Sequence, residues 1–379
     1  MGGASPGARL ALAGLLLAFG ACSGGGSGTG AAGRPAPSTS MAPGSAPAPE
    51  PAALGVYAHT GPGDLSPAVA GVPTRVYVPN SESNTVDVID PATFGVVDHF
   101  AVDRVPQHIA PAWDLKTLYV TNNEGNSLTP IDPLTGRPGT PIPVDDPYNL
   151  YFTPDGAHAI VVAEGLHRLD VRDPHTWALV KSVPAPCDGV DHGDFTADGK
   201  QMLLSCEFSG QLLRFDVDRM EFTGTIGVGG APVDVRLSPD GTVFLVANQK
   251  RNGVSVIDLA ALKETQFIPA GKGTHGLYPS RDGTVFYASN RLDGSVSVID
   301  AATRAVTATW RFGGSPDMGG VSTDGTQLWL TGRYDEAVYV IDTRTGRLLH
   351  TIKVGKGPHG LCLFPQPGRL SLGHTGNYR

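Results

Sequence analysis

From Val76 onward the chain repeats itself with a period of about 42 residues, and this period limits the possible fold more than any other feature of the sequence. An apolar-alternating segment ending in Asp recurs as Val88-Ile89-Asp90, Pro130-Ile131-Asp132, Val171-Arg172-Asp173, Arg214-Phe215-Asp216, Val256-Ile257-Asp258, Val298-Ile299-Asp300 and Val340-Ile341-Asp342. Successive copies are separated by 42, 41, 43, 42, 42 and 42 residues. A unit of that length holds four short strands and cannot bury its apolar faces alone, so neighbouring units must stack. Seven copies predict an all-β fold, a seven-bladed β-propeller with four-stranded blades.

The rest of each unit falls into register around this anchor. An apolar strand precedes it, as in Val76-Tyr77-Val78, Leu118-Tyr119-Val120 and Phe244-Leu245-Val246. Turns at Asp155-Gly156, Asp198-Gly199, Asp240-Gly241, Asp282-Gly283 and Asp324-Gly325 separate that strand from the innermost one, where Gly tolerates positive φ and Asp caps its own backbone. Fifty glycines and 32 prolines against 17% charged residues fit a chain of many tight turns. Counted from Arg75, the first blade lacks its innermost strand, whereas Pro358 to Phe364 supplies an unpaired one, so the C-terminus is expected to join the first blade and close the ring. The propeller then spans 56–366, and residues 367–379 read as a short, polar, loosely held tail whose His374 could cover a channel mouth.

Leu118-Tyr119-Val120-Thr121-Asn122 contains the tetrapeptide after which YVTN-type repeats are named, and Tyr77-Val78-Pro79-Asn80, Leu245-Val246-Ala247-Asn248 and Tyr287-Ala288-Ser289-Asn290 are variants of it. With the repeated Ser/Thr-Pro-Asp-Gly type of turn, the likeness extends over about 75–366, and the chain resembles the exported branch of the YVTN-type (YncE-like) seven-bladed β-propeller family. The resemblance implies fold and compartment. It does not specify a function, because similar propellers serve as binding proteins, surface antigens, lactonases and cofactor domains.

The N-terminus reads as an export signal, with Arg9 in a positive n-region and an apolar run from Leu10 to Phe19 too short to span a bilayer. Phe19-Gly20-Ala21-Cys22 resembles the lipobox of bacterial lipoproteins, which implies removal of residues 1–21 and a diacylglyceryl thioether on Cys22. An ordinary signal peptide with an incidental cysteine is the alternative, and under either reading the protein leaves the cytoplasm. Residues 22–55 are almost entirely Gly, Ser, Ala, Thr and Pro, the composition of a flexible tether. The expected location is the outer face of the cytoplasmic membrane or the cell envelope, with the lipid as the sole membrane contact. A net charge of −8 and a pI near 5.7 disfavour nucleic acid and acidic lipid as partners.

At the start of the innermost strands the repeat places His108, Asn149, His192, Asp234, His275, Asp317 and His359, spaced by 41, 43, 42, 41, 42 and 42 residues. In a propeller this position lies near one channel mouth, so imidazoles and carboxylates converge on one axis. Two readings are open. His108, His192, His275 and His359 suit Zn, Cu, Ni or Fe, or the ring braces neighbouring blades by bonding their backbone. Loops on the same face carry Glu82, Glu124, Glu164 and Glu207 over the first four blades and Lys250, Arg251, Arg291 and Arg333 over the last three, so the mouth is expected to be electrically split; ordinary charged surface loops are the leading reading of this, and a zwitterionic or anionic ligand is the other.

Cys187 and Cys206 belong to one blade, where a disulfide, free thiols or metal ligation are all open, and Cys362 reads as a small core residue. No cysteine lies in a Cys-x-x-Cys-His pattern, which excludes covalent c-type haem, and no Gly-x-Ser-x-Gly, His-Glu-x-x-His, phosphate-cradling loop or dinucleotide fingerprint is present. The leading function is a non-catalytic envelope scaffold that binds a protein, glycan or small polar ligand. The alternative is an envelope enzyme dependent on a metal or cofactor, either an oxidoreductase or a lactonase-like hydrolase using Asp234, Asp317 and the histidines.

Overall fold

A computed structural model describes residues 55–374 and 377–379. The export signal, Cys22 and almost all of the 22–55 tether lie outside the described residues. Among the described residues, twenty-eight strands, numbered β1 to β28 in chain order, form seven antiparallel four-stranded blades, with only short 3-10 turns at Gly55–Tyr57 and Pro67–Val69 besides. No helix among the described residues is long and apolar enough to cross a membrane.

The innermost strands are β4 (Pro106–Pro111), β8 (Pro147–Phe152), β12 (Val190–Phe195), β16 (Pro232–Leu237), β20 (Thr274–Pro279), β24 (Pro316–Val321) and β28 (Cys362–Phe364). They are buried almost throughout, whereas the outermost strands, such as β3 (Gly95–Ala101) and β23 (Ala305–Arg311), are largely exposed. Each blade buries both faces against its neighbours. Trp329, the largest fully buried side chain, stacks on Phe94 of the adjoining blade at 5.8 Å between ring centroids.

The Asn that ends the second strand ties the blade together locally. Asn122 Nδ2 donates to Ser127 Oγ and Thr129 Oγ1, and Asn290 Nδ2 donates to Ser295 Oγ and Ser297 Oγ, all between 2.9 and 3.1 Å. A buried amide that locks the following turn in this way has a structural reason to recur at each YVTN-like copy.

The ring closes as the sequence predicts, through β28 pairing with β1 (Arg75–Asn80) in the register Tyr77↔Cys362, Val76↔Leu363 and Arg75↔Phe364. The closing strand is shorter than Pro358 to Phe364, because Pro358 and Gly360 make only isolated bridges, to Asn80 and His108. Cys362 is buried and free.

The tail corrects the expectation of a loosely held terminus. Gln366, Ser371, Leu372, His374, Asn377 and Tyr378 are all buried. The segment runs back into the channel from the end opposite the Glu- and Arg-bearing loops, where the Phe152 amide donates to Leu372 and the His374 amide donates to Leu150 at 2.7 Å. Residues 55–74 cross the same base, with Tyr57 donating to the Leu237 carbonyl and Arg379 lying 5.2 Å above the Tyr57 ring. A sequence reading of exposed polar residues misses this, because the polar partners that make burial tolerable come from strands more than 140 positions away.

A chain ending at Gly357, which lacks β28, should show no cooperative melting transition by circular dichroism. One ending at Arg369, which keeps β28, should still melt cooperatively at a lower temperature.

Candidate metal centre

Six of the innermost strands carry one extra residue at the same place. The ladder to the second strand slips between Pro106 and Ile109, Pro147 and Asn149, Val190 and Gly193, Pro232 and Val235, Thr274 and Leu277, and Pro316 and Gly319. A bulge of this kind re-aims a side chain that regular alternation would send elsewhere. Each one contains or adjoins the residue that the 42-residue period places at the strand start. The amide freed from the ladder is satisfied by a hydroxyl on the second strand. His108 donates to Thr121 Oγ1, His192 to Ser205 Oγ, Gly276 to Ser289 Oγ and Met318 to Thr331 Oγ1, at 2.9–3.2 Å.

The six bulges, and the irregular stretch that leads into β28, bring His108, Asn149, His192, Asp234, His275, Asp317 and His359 together on the axis, all buried rather than lining an open mouth. His374 joins them from the tail. Two sets of ligand-type atoms result, His108 with His192 and His374, and His275 with Asp317 and His359, each set within 4.8 Å of one another. In the first set the ring centroids are 4.9–5.2 Å apart. Small side-chain rotations would place these atoms at the roughly 2.0–2.3 Å from a common ion that zinc requires. Among the described residues, neither ring nitrogen of His108 makes a hydrogen bond, nor does Nε2 of His192, Nδ1 of His359 or Oδ2 of Asp317, while His192 Nδ1 and His374 Nε2 each face a carboxylate, of Asp191 and Asp234, at 3.4 Å.

Other ring members spend their polar atoms on the scaffold. Asn149 accepts from the Leu150 amide and donates toward the Asp191 carbonyl. Asp234 accepts from the Val235 amide at 3.0 Å and, across the blade interface, from the Leu277 amide at 2.8 Å. Bracing therefore describes Asn149 and Asp234, but does not account for His108 and His192. Asp317 is intermediate, because its Oδ1 accepts from Arg291 at 2.6 and 2.9 Å while His275 Nδ1 lies 2.9 Å away.

Burial depresses the pKa values of His108, His275, His359 and His374, the last to about 3. Neighbouring imidazoles deepen the effect for His108, and Arg291 does so for His275. Neutral imidazoles are the form a metal binds. For His192 burial acts the same way, but the Asp191 carboxylate, 3.4 Å from its Nδ1, outweighs it and raises the pKa.

The split of charge over the mouth is weaker than the loop composition suggests, because the two half-buried carboxyls on the acidic side are held toward their neutral forms. Burial, together with Asp191 and Glu207, pushes Glu164 up to about 8, and burial with Asp191 pushes Glu207 up to about 7. Opposite them, Arg291 holds Asp317, and Arg333 donates to Ser81 Oγ and the Gly357 carbonyl. Glu82, Glu124 and Lys250 are exposed, and Arg251 turns outward to Glu264 at 2.7 Å. Cys187 and Cys206 form a disulfide that clamps the loop leading into Asp191 and His192.

Two features escaped the sequence analysis. Asp191 stands next to His192 but outside the seven-position register. A second tier lies two or three residues deeper, at Ala110, Tyr151, Asp194, Arg236, Tyr278, Gly320 and Cys362, and applying the same spacing (41, 43, 42, 42, 42 and 42) finds it. Its members receive the tail and brace the blades. Arg379 donates to Asp194 at 2.7 Å, Arg236 donates to Asn377, and Tyr151 and Tyr278 accept from the Gly193 and Gly319 amides at 2.8 and 2.7 Å.

A family model described as YNCE-like beta-propeller matches residues 40–367. Among solved structures, Kuenenia stuttgartiensis hydrazine synthase aligns at 20% identity with a TM-score of 0.58, over 66% of this chain and 87% of that one. Dihydro-heme d1 dehydrogenase NirN, in complex with DHE, aligns at 16% identity and a TM-score of 0.59, over 77% and 75%. A functionally unknown protein from Desulfotomaculum acetoxidans DSM 771 aligns at 15% identity and 0.67, over 76% and 98%. These likenesses establish the fold alone. No curated protein matches the chain.

Replacing Cys187 and Cys206 together by Ser should lower the unfolding free energy in urea by about 3 kcal/mol, the value expected for a loop of that length, and dithiothreitol should reproduce the loss in the unmodified protein.

Proposed function

We propose that this chain, which belongs to the YNCE-like β-propeller family, is an exported, lipid-anchored binding protein that holds a first-row transition metal ion on the propeller axis. One observation carries the reading. Imidazoles of three different chain segments meet within 4.8 Å in a fully buried site, and neither ring nitrogen of His108 nor Nε2 of His192 has a hydrogen-bond partner among the described residues. Burying polar groups without partners is destabilising, and groups that cannot be explained as braces call for a ligand. Three imidazoles select Zn or Cu ahead of the oxygen-preferring Mg and Ca.

The His108, His192 and His374 side is the stronger of the two candidates. On the other side the Arg291 guanidinium lies against both Asp317 Oδ1 and His275 Nε2, at 2.6 Å each, so a cation there would meet a resident positive charge. Deep burial of the whole ring favours an ion that stays in place over a substrate that is turned over. Export is supported by the apolar run from Leu10 to Phe19 and by a disulfide that persists in an oxidising compartment.

Protein from Cys22 onward, purified from its native envelope without chelator, should contain close to one equivalent of Zn or Cu by plasma mass spectrometry. A His192→Ala, His275→Ala double variant with an intact circular dichroism spectrum should lose most of it. Adding the ion at about 100 times its Kd to metal-stripped protein should raise stability by about 2.7 kcal/mol. No metal in either protein and no stabilisation on adding Zn or Cu would leave a bracing ring.

A further inference from the structure

A polar segment closes the base of the channel, and its conformation is arranged around one side chain. His374 sits in the left-handed region at φ +32°, which non-glycine residues seldom occupy, directly after Gly373 at φ +81°. A Cβ on Gly373 would come within 2.3 Å of the Leu150 carbonyl oxygen, so only glycine allows the tail to approach β8 this closely. The turn is pinned by the His374 amide, which donates to Leu150 at 2.7 Å, and by the Gly373 amide, which donates to Ser371 Oγ at 3.0 Å. Its result is an imidazole placed 5.0 Å from the His108 ring and 4.9 Å from the His192 ring. The Asn149 amide lies 3.0–3.2 Å from His374 Nδ1 and holds the ring in orientation, while Nε2 points toward the axis with Asp234 Oδ1 3.4 Å away, a carboxylate that an ion bound there would share with the imidazole.

We propose that the C-terminal tail is a metal-dependent latch, in which His374 is the third imidazole ligand of a zinc or copper ion held by His108 and His192, and the ion fastens the plug that closes the channel. The inference rests on the metal-binding reading and adds to it a specific triad and a consequence. An outer hydrogen bond on the far nitrogen is the usual companion of a ligating histidine, and Asn149 supplies it here. Because one ligand arrives on the tail, metal affinity and tail docking are linked, and each must strengthen the other by the same factor. Arg379 on Asp194, and Arg236 on Asn377, secure the distal part of the plug without contributing a ligand.

The test uses zinc and the full chain from Cys22. Metal-stripped protein is titrated with Zn²⁺ against a chromophoric chelator, and release of Arg379 by carboxypeptidase is timed with and without the ion. Zinc should slow that release at least about tenfold in the unmodified protein, the lower end of what losing a supporting contact does at a metal site. His374→Gln should bind zinc at least about tenfold more weakly, with digestion indifferent to zinc. His108→Gln, which leaves the tail sequence untouched, should also lose the zinc-dependent protection, an effect that a merely structural His374 would not predict. Unchanged affinity and protection in His374→Gln would overturn the latch and leave the metal-binding reading standing. Failure of the unmodified protein to bind zinc or copper would overturn both.

Discussion

The three-residue ladder between β28 and β1 is the contact on which every axial distance depends. It joins positions almost 290 residues apart and converts an open stack of blades into a ring with no unpaired inner edge. Only when the ring is closed do seven strand starts face one another across a space narrow enough for imidazoles to meet at 4.8–6.3 Å. The continuation of the closing strand is the tail, so closure also delivers His374 to the axis.

Within that frame, local chemistry sorts the ring residues into two kinds. Asn149 and Asp234 turn back onto backbone amides and act as joints between blades. His108, His192 and His275 are aimed inward by the same bulges, and the Thr and Ser hydroxyls that satisfy the bulge amides leave both ring nitrogens of His108 and Nε2 of His192 without a partner among the described residues. Burial keeps most of them neutral; Asp191 stands 3.4 Å from His192 Nδ1 and Asn149 lies on His374 Nδ1, the arrangement in which outer groups support ligating histidines, while Asp234 lies 3.4 Å from His374 Nε2 on the inner side. Buried charge flanks the centre on both sides, with Arg236 and Asp234 paired beside His374 and Arg291 and Asp317 beside His275.

Much of this was legible in the amino-acid sequence because a repeat reports spatial equivalence. The seven Asp-ended strands fixed the blade count, the missing strand before Arg75 identified the closure, and the 42-residue spacing marked the axial ring from His108 to His359. What it could not convey depends on contacts between distant segments. The bulges that aim the ring leave no mark in the apolar pattern, because their donors and acceptors sit in the next strand. The tail looks like a solvated terminus when Ser371, His374 and Asn377 are read singly, and its burial follows only from partners at Pro111, Asn149 and Arg236. The mouth loops were assigned the right signs, but Arg251 turning outward to Glu264 shows that loop composition does not determine which charges face the axis.

The central claim is that imidazoles from separate chain segments share an ion. X-ray absorption at the metal edge of protein purified from its native envelope addresses it most directly. The account predicts nitrogen scatterers at about 2.0–2.1 Å, with the outer-shell pattern of at least two imidazole rings. A first shell made of sulfur, or of oxygen without imidazole scattering, would contradict it.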